Sequence, residues 1–388
     1  MGYTFTLDDV RALSSPEGAA ALAEVDTLEL STRTHLADIG GVRARFGAAT
    51  AALVETVLLR RKAVAKLRGA GWLLTDDALQ QATPTLVAAV RARRLTGRRV
   101  HDVTCSIGAE LDALVAECPV VIGSDLDPVR LAMAQRNVPA AHLLRADALM
   151  PTTRDTVILA DPARRAGGRR QHRPEDLMPP LPDLLTAYAG RDIAVKSAPG
   201  LDFDALGWAG EVELVSLDGG VREACLWSPG LSGDGVTRRA TVLGSGGFAE
   251  EYTDAEPDEL PEKPVGQWII DPDGAIVRAG LVRHYAARHG LWQLDPRIAY
   301  VTGDQVPAGT RGHRVLEELK YSEKALRQVL SGLDCGALEI LVRGVDVDPD
   351  MLRRKLKQRG SRSLSVVLTR VGRTPTAFVC EPTLGFSK

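Results

Sequence analysis

Apolar residues recur every three or four positions in the first part of the chain, where Ala, Leu, Arg and Glu dominate. The clearest examples are Leu53, Val57, Leu58, Val64 and Leu67. This period is that of an amphipathic helix, and these residue types favour helix. The pattern predicts a helical N-terminal domain over residues 1–95.

From Arg99 onward the pattern changes to short β-rich runs separated by helical stretches. The runs are Val100–Thr104, Val120–Ser124, His142–Arg145, Thr156–Ala160, Asp192–Lys196, Glu211–Ser216 and Glu223–Trp227. Strands that alternate with helical crossovers indicate a doubly wound α/β domain, here over residues 96–232.

Residues 233–310 are predicted to hold a linker and a small α+β unit. The segment Ser228–Gly247 is rich in Gly and Ser, and Glu251–Pro264 adds acidic residues and three prolines. Such composition is typical of a linker. A strand at Val265–Ile270 and an amphipathic stretch at Ala275–Arg288 complete the unit.

The last part, residues 311–388, is predicted to be a small sheet-plus-helix domain. Its elements follow the order strand, helix, strand, helix, strand, strand. After the first strand they are Ser322–Leu330, Ala337–Arg343, Pro349–Gln358, Ser363–Thr369 and Thr376–Cys380.

Composition places this chain of 388 residues among ordinary globular proteins of two to four domains, with 45% hydrophobic and 25% charged residues. No apolar run approaches the ~18–20 residues that span a bilayer, and the N-terminus has no basic and apolar leader. We expect a cytoplasmic protein without a membrane partner.

Cysteine and charge usage narrow the expectations further. The five cysteines form no C-x-x-C pair, so we expect reduced, buried thiols and no structural metal. The net charge of −2 means that any nucleic acid must be met by a local basic patch.

Acidic residues follow four consecutive predicted strands: Asp102, Asp125, Asp147 and Asp161. A single Asp after a strand is usually a turn or N-cap residue, but four in series favour a ligand site at the strand ends. The first turn contains only Gly108 where a dinucleotide site has G-x-G-x-x-G, so a pyrophosphate ligand is disfavoured.

These motifs together resemble the class I S-adenosylmethionine-dependent methyltransferases, with a Rossmann-like core. They are Asp-x-Thr-Cys-Ser-x-Gly at 102–108, Gly-Ser-Asp-x-Asp-Pro at 123–128, Arg-Ala-Asp-Ala at 145–148 and Asp-Pro-Ala-Arg at 161–164. The resemblance covers about 80–230 and implies S-adenosylmethionine as cofactor.

The resemblance also implies positions for the cofactor. Its methionine end would lie among Asp102, Thr104, Ser106 and Gly108, its ribose at Asp125, and its adenine at Asp147 and Ala148, with Leu126 as a further cofactor-binding residue. Gln81 and Thr83 belong to a Gln-Ala-Thr-Pro segment that resembles one lying over the cofactor in RNA methyltransferases with THUMP domains. The alternative for Thr83 is the N-cap of a helix that begins at Pro84.

The C-terminal segment Tyr321–Lys388 is similar to the THUMP-like domain of a bacterial group of these enzymes, and THUMP domains bind RNA. Residues 351–380 contain no acidic residue but include Arg353, Arg354, Lys355 and Lys357. These four are candidate phosphate contacts. A solvated basic helix face is the alternative.

The fourth motif, with Asp161 and Pro162, is where such enzymes present the acceptor. It lacks the aromatic residue common in enzymes that methylate exocyclic amines. It resembles the motif of RNA C5-uridine methyltransferases. The covalent mechanism of those enzymes requires a cysteine just after the fifth strand, but the segment Val195–Gly200 contains none. Direct transfer is therefore favoured, with Asp161, Pro162 and Lys196 as candidate catalytic residues.

An arginine-rich loop follows this motif and includes Arg164, Arg165, Arg169 and Arg170. Its position suggests a clamp for substrate phosphates, and a surface loop is the alternative. We therefore predict a methyltransferase acting on a base nitrogen of RNA, either tRNA or rRNA. The alternatives are a small-molecule or protein methyltransferase, and a non-catalytic RNA-binding protein with a remnant cofactor pocket.

Overall fold

The computed structural model describes residues 2–164 and 174–382, and the chain divides into two compact units. The first unit is Met1–Glu211 with Glu223–Ser232, and the second is Val212–Arg222 with Gly233–Lys388. The domain boundaries expected near 95, 232 and 310 stay predictions.

The N-terminal region is helical, as its periodicity predicts. Its helices are α1 (Leu7–Ser14), α2 (Pro16–Asp26), α3 (His35–Phe46), α4 (Thr50–Ala63), α5 (Asp76–Gln81) and α6 (Thr85–Arg94). The hydroxyls of Thr6 and Ser15 cap α1 and α2 by accepting from backbone N–H groups. Leu53, Val57 and Leu67 are in the core of this region, whereas Val64 follows α4 and is 78% exposed.

The α/β part of the first unit begins with four strands and two crossover helices. They are β1 (Arg99–Asp102), α7 (Ala109–Glu117), β2 (Val120–Asp125), α8 (Pro128–Asn137), β3 (His142–Arg145) and β4 (Val157–Ala160). After β3 the chain returns to the other side of β1, where β4 pairs with β1 in parallel. Ligands of doubly wound sheets bind where the strand order reverses in this way.

The chain then forms a short hairpin and the rest of this sheet. The elements are β5 (Ala163–Arg164), β6 (Leu177–Met178), α9 (Leu181–Ala187), β7 (Ile193–Ser197), α10 (Phe203–Leu206), β8 (Glu211–Leu217) and β9 (Gly220–Trp227). Within the first unit the strands lie in the order β9, β7, β4, β1, β2, β3, and only β9 is antiparallel to its neighbour. The expected doubly wound α/β core is confirmed.

Part of the segment predicted as a linker forms strands in the second unit. The strands β10 (Arg238–Leu243) and β11 (Ala249–Thr253) lie within and just after the Gly- and Ser-rich segment, and β10 pairs in parallel with β8. Ala240, Val242 and Leu243 of β10 are buried. Glycines and serines on both sides of this apolar run dominate the local composition and conceal the strand.

A second sheet contains the THUMP-like segment. The elements are β12 (Trp268–Asp271), α11 (Gly274–Arg278), α12 (Val282–Arg288), β13 (Trp292–Gln293), β14 (Val301–Gly303), β15 (Arg311–Lys320), α13 (Glu323–Gly332), β16 (Cys335–Val342), α14 (Pro349–Leu356), β17 (Arg362–Val371) and β18 (Thr374–Cys380). The strand order is β13, β14, β12, β15, β18, β17, β16. From β15 onward the predicted order of elements is confirmed.

The amphipathic stretch predicted over 275–288 is two helices rather than one. Gly280, at φ +76°, separates α11 from α12, and this left-handed conformation is unfavourable for other residues. Three short 3₁₀ segments, Gly47–Ala49, Pro174–Asp176 and Pro229–Leu231, complete the helical structure. No helix within 2–164 or 174–382 has both the length and the apolar character needed to cross a membrane.

Candidate active site

A cavity of about 400 Å³ lies at the carboxyl ends of β1, β2 and β4 in the first unit. The turn after β1, the segment Ala78–Thr83, the end of β7 and the hairpin residue Met178 also line it. Nine of the ten residues expected at the cofactor line this cavity: Gln81, Thr83, Asp102, Thr104, Ser106, Asp125, Leu126, Asp147 and Ala148. The tenth, Gly108, is in the same turn but does not line the cavity.

The turn after β1 has a specific backbone shape that its small residues allow. Ser106 has φ +49° and Gly108 has φ +85°, and Gly108 precedes the first residue of α7. A Cβ at Gly108 would come within 3.2 Å of the Val138 side chain. Glycine at 108 therefore permits both the left-handed backbone conformation of the turn and the close approach of the end of α8.

Asp102 is the most deeply buried carboxylate expected at the cofactor, at 3% exposure. Its Oδ1 accepts hydrogen bonds from the Thr104 amide at 3.0 Å and the Thr104 hydroxyl at 3.3 Å. Burial raises the pKa of Asp102 to about 7, and the nearby carboxylates of Glu110 and Asp161 add to this rise. A cation placed beside Asp102 would favour its ionised form.

Asp125, at the end of β2, connects two turns of the cavity wall. Its Oδ2 accepts from the Ser106 amide at 3.0 Å, and its Oδ1 accepts from the Asp127 amide at 2.9 Å. Each carboxylate oxygen has a second lone pair, so Asp125 can also accept from a ligand hydroxyl. Leu126, which follows it, is 59% exposed and lines the cavity.

The turn after β3 places Asp147 and Ala148 in the cavity wall. Asp147 is exposed, and its Oδ1 accepts from the Leu149 amide at 2.9 Å. Ala148 is buried, and its carbonyl accepts from the Tyr188 hydroxyl at 2.9 Å. Both residues therefore have a fixed backbone beside the cavity.

Thr83 does not cap the helix that follows it, so the N-cap alternative is wrong. The residue before α6 is Pro84, and no side chain caps this helix. Thr83 is 4% exposed, lines the cavity, and its hydroxyl has no hydrogen-bond partner within the part of the chain that the structure describes. A buried hydroxyl of this kind is available to a ligand.

The expected catalytic side chains Asp161 and Lys196 are in contact. The Lys196 ammonium forms an ion pair with Asp161 Oδ2, and the Lys196 and Asp161 side chains are 8% and 41% exposed, respectively. Both line the cavity, whereas Pro162 is buried beside them and does not. The Asp161 amide donates to the Thr104 hydroxyl at 2.7 Å.

The residues at or beside the cavity that the sequence analysis did not single out include Arg91, Glu110 and Met178. Glu110 is in the first turn of α7, and its Oε1 is 2.8 Å from Arg91 of α6. Its position two residues after Gly108 was the available signal. Met178 is 57% exposed and reaches the cavity because β6 pairs with β5 across the hairpin, which no local pattern indicated.

All five cysteines are buried and none is in a disulfide, and Cys105 lines the cavity. Burial raises the pKa of the Cys105 thiol, and Asp102 and Asp125 raise it further. Cys225 is also buried, at 1% exposure. The environment of Cys105 does not favour a thiolate, which is the nucleophilic form of cysteine.

The residues expected to bind substrate form two groups, the arginines between 164 and 170 and the basic residues between 353 and 357. Arg164 ends β5, while Arg165, Arg169 and Arg170 lie outside the described residues. In the second unit Arg353 pairs with Asp350 at 2.5 Å, and Lys355 pairs with Glu323 at 2.7 Å. Arg354 and Lys357 are exposed, as are Arg359 and Arg362.

Comparison with known proteins identifies the family. Two Mycobacterium tuberculosis proteins, from strains CDC 1551 and H37Rv, are each 57% identical to this chain over 359 residues, which is 88% of this chain and 99% of theirs. Both are named uncharacterized S-adenosylmethionine-dependent methyltransferases. The chain belongs to the S-adenosylmethionine-dependent methyltransferases.

Two family models match the ends of this methyltransferase, and a solved structure has the same fold. Residues 310–382 match the THUMP domain-like family, and residues 6–63 match a family described as a domain of unknown function. A crystal structure of a methyltransferase from Porphyromonas gingivalis has the same fold, with a TM-score of 0.71 and 18% identity over 98% of this chain and 99% of that one. The expected family, cofactor and enzyme class are confirmed by the two Mycobacterium tuberculosis relatives.

The chemistry of the cavity fits this cofactor. S-adenosylmethionine carries an ammonium, a sulfonium, two ribose hydroxyls and an adenine, and it contains no phosphate. The cavity presents the carboxylates of Asp102, Asp125 and Asp147 and the hydroxyl of Thr83, which has no partner among the described residues. Carboxylates bind ammonium and hydroxyl groups through charge-assisted hydrogen bonds.

Proposed function

We propose that this methyltransferase modifies a base nitrogen of RNA by direct in-line transfer, and that it acts in the cytoplasm on tRNA or rRNA. The observation that carries the proposal is the match of residues 310–382 to the THUMP domain-like family, in the same chain as a methyltransferase. THUMP domains are RNA-binding modules, so this combination favours RNA as the acceptor.

The cofactor supplies an electrophilic methyl group. Asp102, Thr104 and Ser106 would surround its methionine end, while Gly108 shapes the turn that carries them. Asp125 would accept from the ribose hydroxyls, Leu126, Asp147 and Ala148 would enclose the adenine, and Gln81 and Thr83 would lie over the cofactor. The positions of these residues around one cavity support the assignment.

Asp161 and Lys196 would position the acceptor nitrogen. The ion pair engages Asp161 Oδ2, while Oδ1 has no hydrogen bond to any of the described residues. Oδ1 can therefore accept a hydrogen from the acceptor amine and take up its proton. Pro162 would fix the backbone at this point, and the exposed Met178 would provide an apolar surface for a flat base.

Direct transfer is supported by the state of the cysteine that lines the cavity. A covalent C5 mechanism requires a thiolate that attacks the base. That cysteine, Cys105, has a raised thiol pKa. A sulfonium needs no such nucleophile, because alignment of the acceptor with the methyl group is sufficient for displacement.

Exposed basic residues would hold the RNA backbone. Of the four expected in the C-terminal segment, Arg354 and Lys357 carry the proposal most directly, because Arg353 and Lys355 are paired with acidic residues of the chain. Arg359 and Arg362 extend the exposed basic surface. The arginines 164, 165, 169 and 170 stay a proposed clamp beside the acceptor.

The test is transfer of a tritiated methyl group from S-adenosylmethionine to cellular RNA. We expect the tritium label in RNA, so that nuclease digestion releases the label and protease digestion does not. Asp161→Asn should reduce the rate by roughly a hundredfold, as expected for loss of a proton acceptor, whereas Asp183→Asn, an exposed residue of α9, should not. Label recovered in protein or in small molecules would refute RNA as the acceptor.

A further inference from the structure

Two residues that line the cavity each have a buried polar atom without a hydrogen-bond partner among the described residues. The atoms are Glu110 Oε2 and Thr83 Oγ1, on side chains of residues that are 7% and 4% exposed. Both residues line the cavity. Buried polar groups without a partner are rare in proteins because each costs free energy, so a pair of them in one cavity points to a ligand.

A buried ion-pair network fixes the position of the Glu110 side chain. Arg91 Nη1 is 2.8 Å from Glu110 Oε1, and Arg91 Nη2 also pairs with Glu223. The Arg91 side chain is only 3% exposed. This arrangement fixes one oxygen of Glu110 against Arg91 and leaves the other, Oε2, without a partner among the described residues.

The charge around Glu110 is not balanced. The carboxylates of Asp102, Glu110 and Glu223 are all buried, and Arg91 is the cation that pairs with two of them. Lys196 is already engaged with Asp161. A buried carboxylate is stabilised by a cationic partner, so the space between Glu110 and Asp102 favours a positively charged ligand group.

We propose that Glu110 Oε2 binds the α-ammonium of the cofactor's methionine and that the Thr83 hydroxyl binds its α-carboxylate. An amino-acid zwitterion needs one acceptor and one donor, and the two atoms without a partner are a carboxylate oxygen and a hydroxyl. Arg91 is the positioning residue that orients Glu110. The proposal concerns the cofactor alone and does not depend on the nature of the methyl acceptor.

The experiment compares two ligands that differ in the amino-acid group. S-adenosylhomocysteine contains it, whereas 5′-methylthioadenosine contains the same nucleoside and sulfur without it. Calorimetry should show that Glu110→Gln weakens S-adenosylhomocysteine binding by about tenfold to a hundredfold, the range for a hydrogen bond to a charged group. Binding of 5′-methylthioadenosine should change by less than about threefold.

Three further variants make the result specific. Thr83→Val should weaken S-adenosylhomocysteine alone, by about threefold to tenfold, and Thr83→Ser should restore it. Asp112→Asn is the matched control, because Asp112 is on the same helix but does not line the cavity. It should bind both ligands like the wild type.

The difference between the two ligands keeps the test independent of folding. Gln retains an amide oxygen for Arg91, and a general loss of structure in Glu110→Gln would weaken both ligands equally. Equal weakening of both ligands, or unchanged binding of both, would overturn the assignment of Glu110. Failure to find RNA methylation would leave this result unaffected, because neither ligand involves the acceptor.

Discussion

The backbone amide of Asp161 donates a hydrogen bond of 2.7 Å to the side-chain hydroxyl of Thr104. That hydroxyl also lies 3.3 Å from Asp102 Oδ1, to which it donates. Thr104 thus connects the turn after β1, where the cofactor is expected, with the turn after β4, where the acceptor is expected. The relative position of methyl donor and acceptor depends in part on this one side chain.

Thr104→Val tests the connection, because valine keeps the shape of threonine without the hydroxyl. We expect the rate of methyl transfer to fall by at least about tenfold, since small errors of alignment are costly in a displacement reaction. Single-turnover kinetics with saturating S-adenosylmethionine will measure it. Thr104→Ser should retain most of the rate, and a Val variant with wild-type turnover would exclude an alignment role.

Cofactor binding should depend on pH through Asp102. Burial raises its pKa from 3.8 to about 7 in the folded protein, and the charged groups that influence it are Glu110, Asp161 and Lys196. For this group, stability of the ligand-free protein decreases as pH rises from 3.8 to about 7, because the unfolded chain loses the proton first. A bound cation favours the carboxylate, so cofactor affinity should increase as pH rises toward about 7 and level off above it.

The measurement is calorimetry in two buffers that differ in their heat of ionisation. Below the pKa of about 7 we expect S-adenosylmethionine binding to release a proton, and Asp102→Asn should abolish the release. Equal apparent enthalpies in the two buffers for the wild type would contradict this role of Asp102.

Asp125→Ala should weaken cofactor binding by about 1.5–3 kcal/mol if its carboxylate accepts from the ribose hydroxyls. The same change should also lower the melting temperature, because the amides of Ser106 and Asp127 lose their acceptor. Asp125→Asn keeps one oxygen and should lose less stability. Titration with S-adenosylmethionine, with melting curves of the free proteins, separates the two effects; unchanged affinity in Asp125→Ala would refute the ribose assignment.

RNA binding should depend more on Arg354, Lys357 and Arg359 than on the basic residues that form ion pairs. Replacing these three with Gln should lower RNA affinity and reduce the slope of log K against log salt by about 0.7–0.9 for each phosphate that the variant no longer neutralises. Replacing Arg353 and Lys355, which pair with Asp350 and Glu323, should have a smaller effect. Filter binding over a series of salt concentrations measures both, and an unaltered slope in the triple variant would remove these residues from the RNA surface.

Much of the fold follows from local patterns in the sequence. The β-rich runs after Arg99 predicted the α/β core, because buried strands between crossover helices have a recognisable composition. The Arg238–Leu243 strand was missed because its apolar residues stand between glycine-rich turns. The break between α11 and α12 depends on the left-handed conformation of Gly280, which no periodicity indicates.

The sequence predicted some of the residues that line the cavity and missed others. Residues at strand ends, such as Asp102 and Asp125, could be found because parallel strands place their carboxyl ends at one edge. Glu110 was missed, because its position two residues after Gly108 was a weak signal and its importance depends on burial and on the pairing with Arg91. Met178 likewise reaches the cavity only through the pairing of β5 with β6.

The most direct test of the proposed function is identification of the methylated nucleoside. RNA is incubated with the enzyme and trideuteromethyl S-adenosylmethionine, digested to nucleosides and analysed by mass spectrometry with fragmentation. We predict the heavy methyl group on a base nitrogen, and its loss with Asp161→Asn. A heavy methyl group on ribose or on uridine C5, or its absence from every nucleoside, would contradict the proposal.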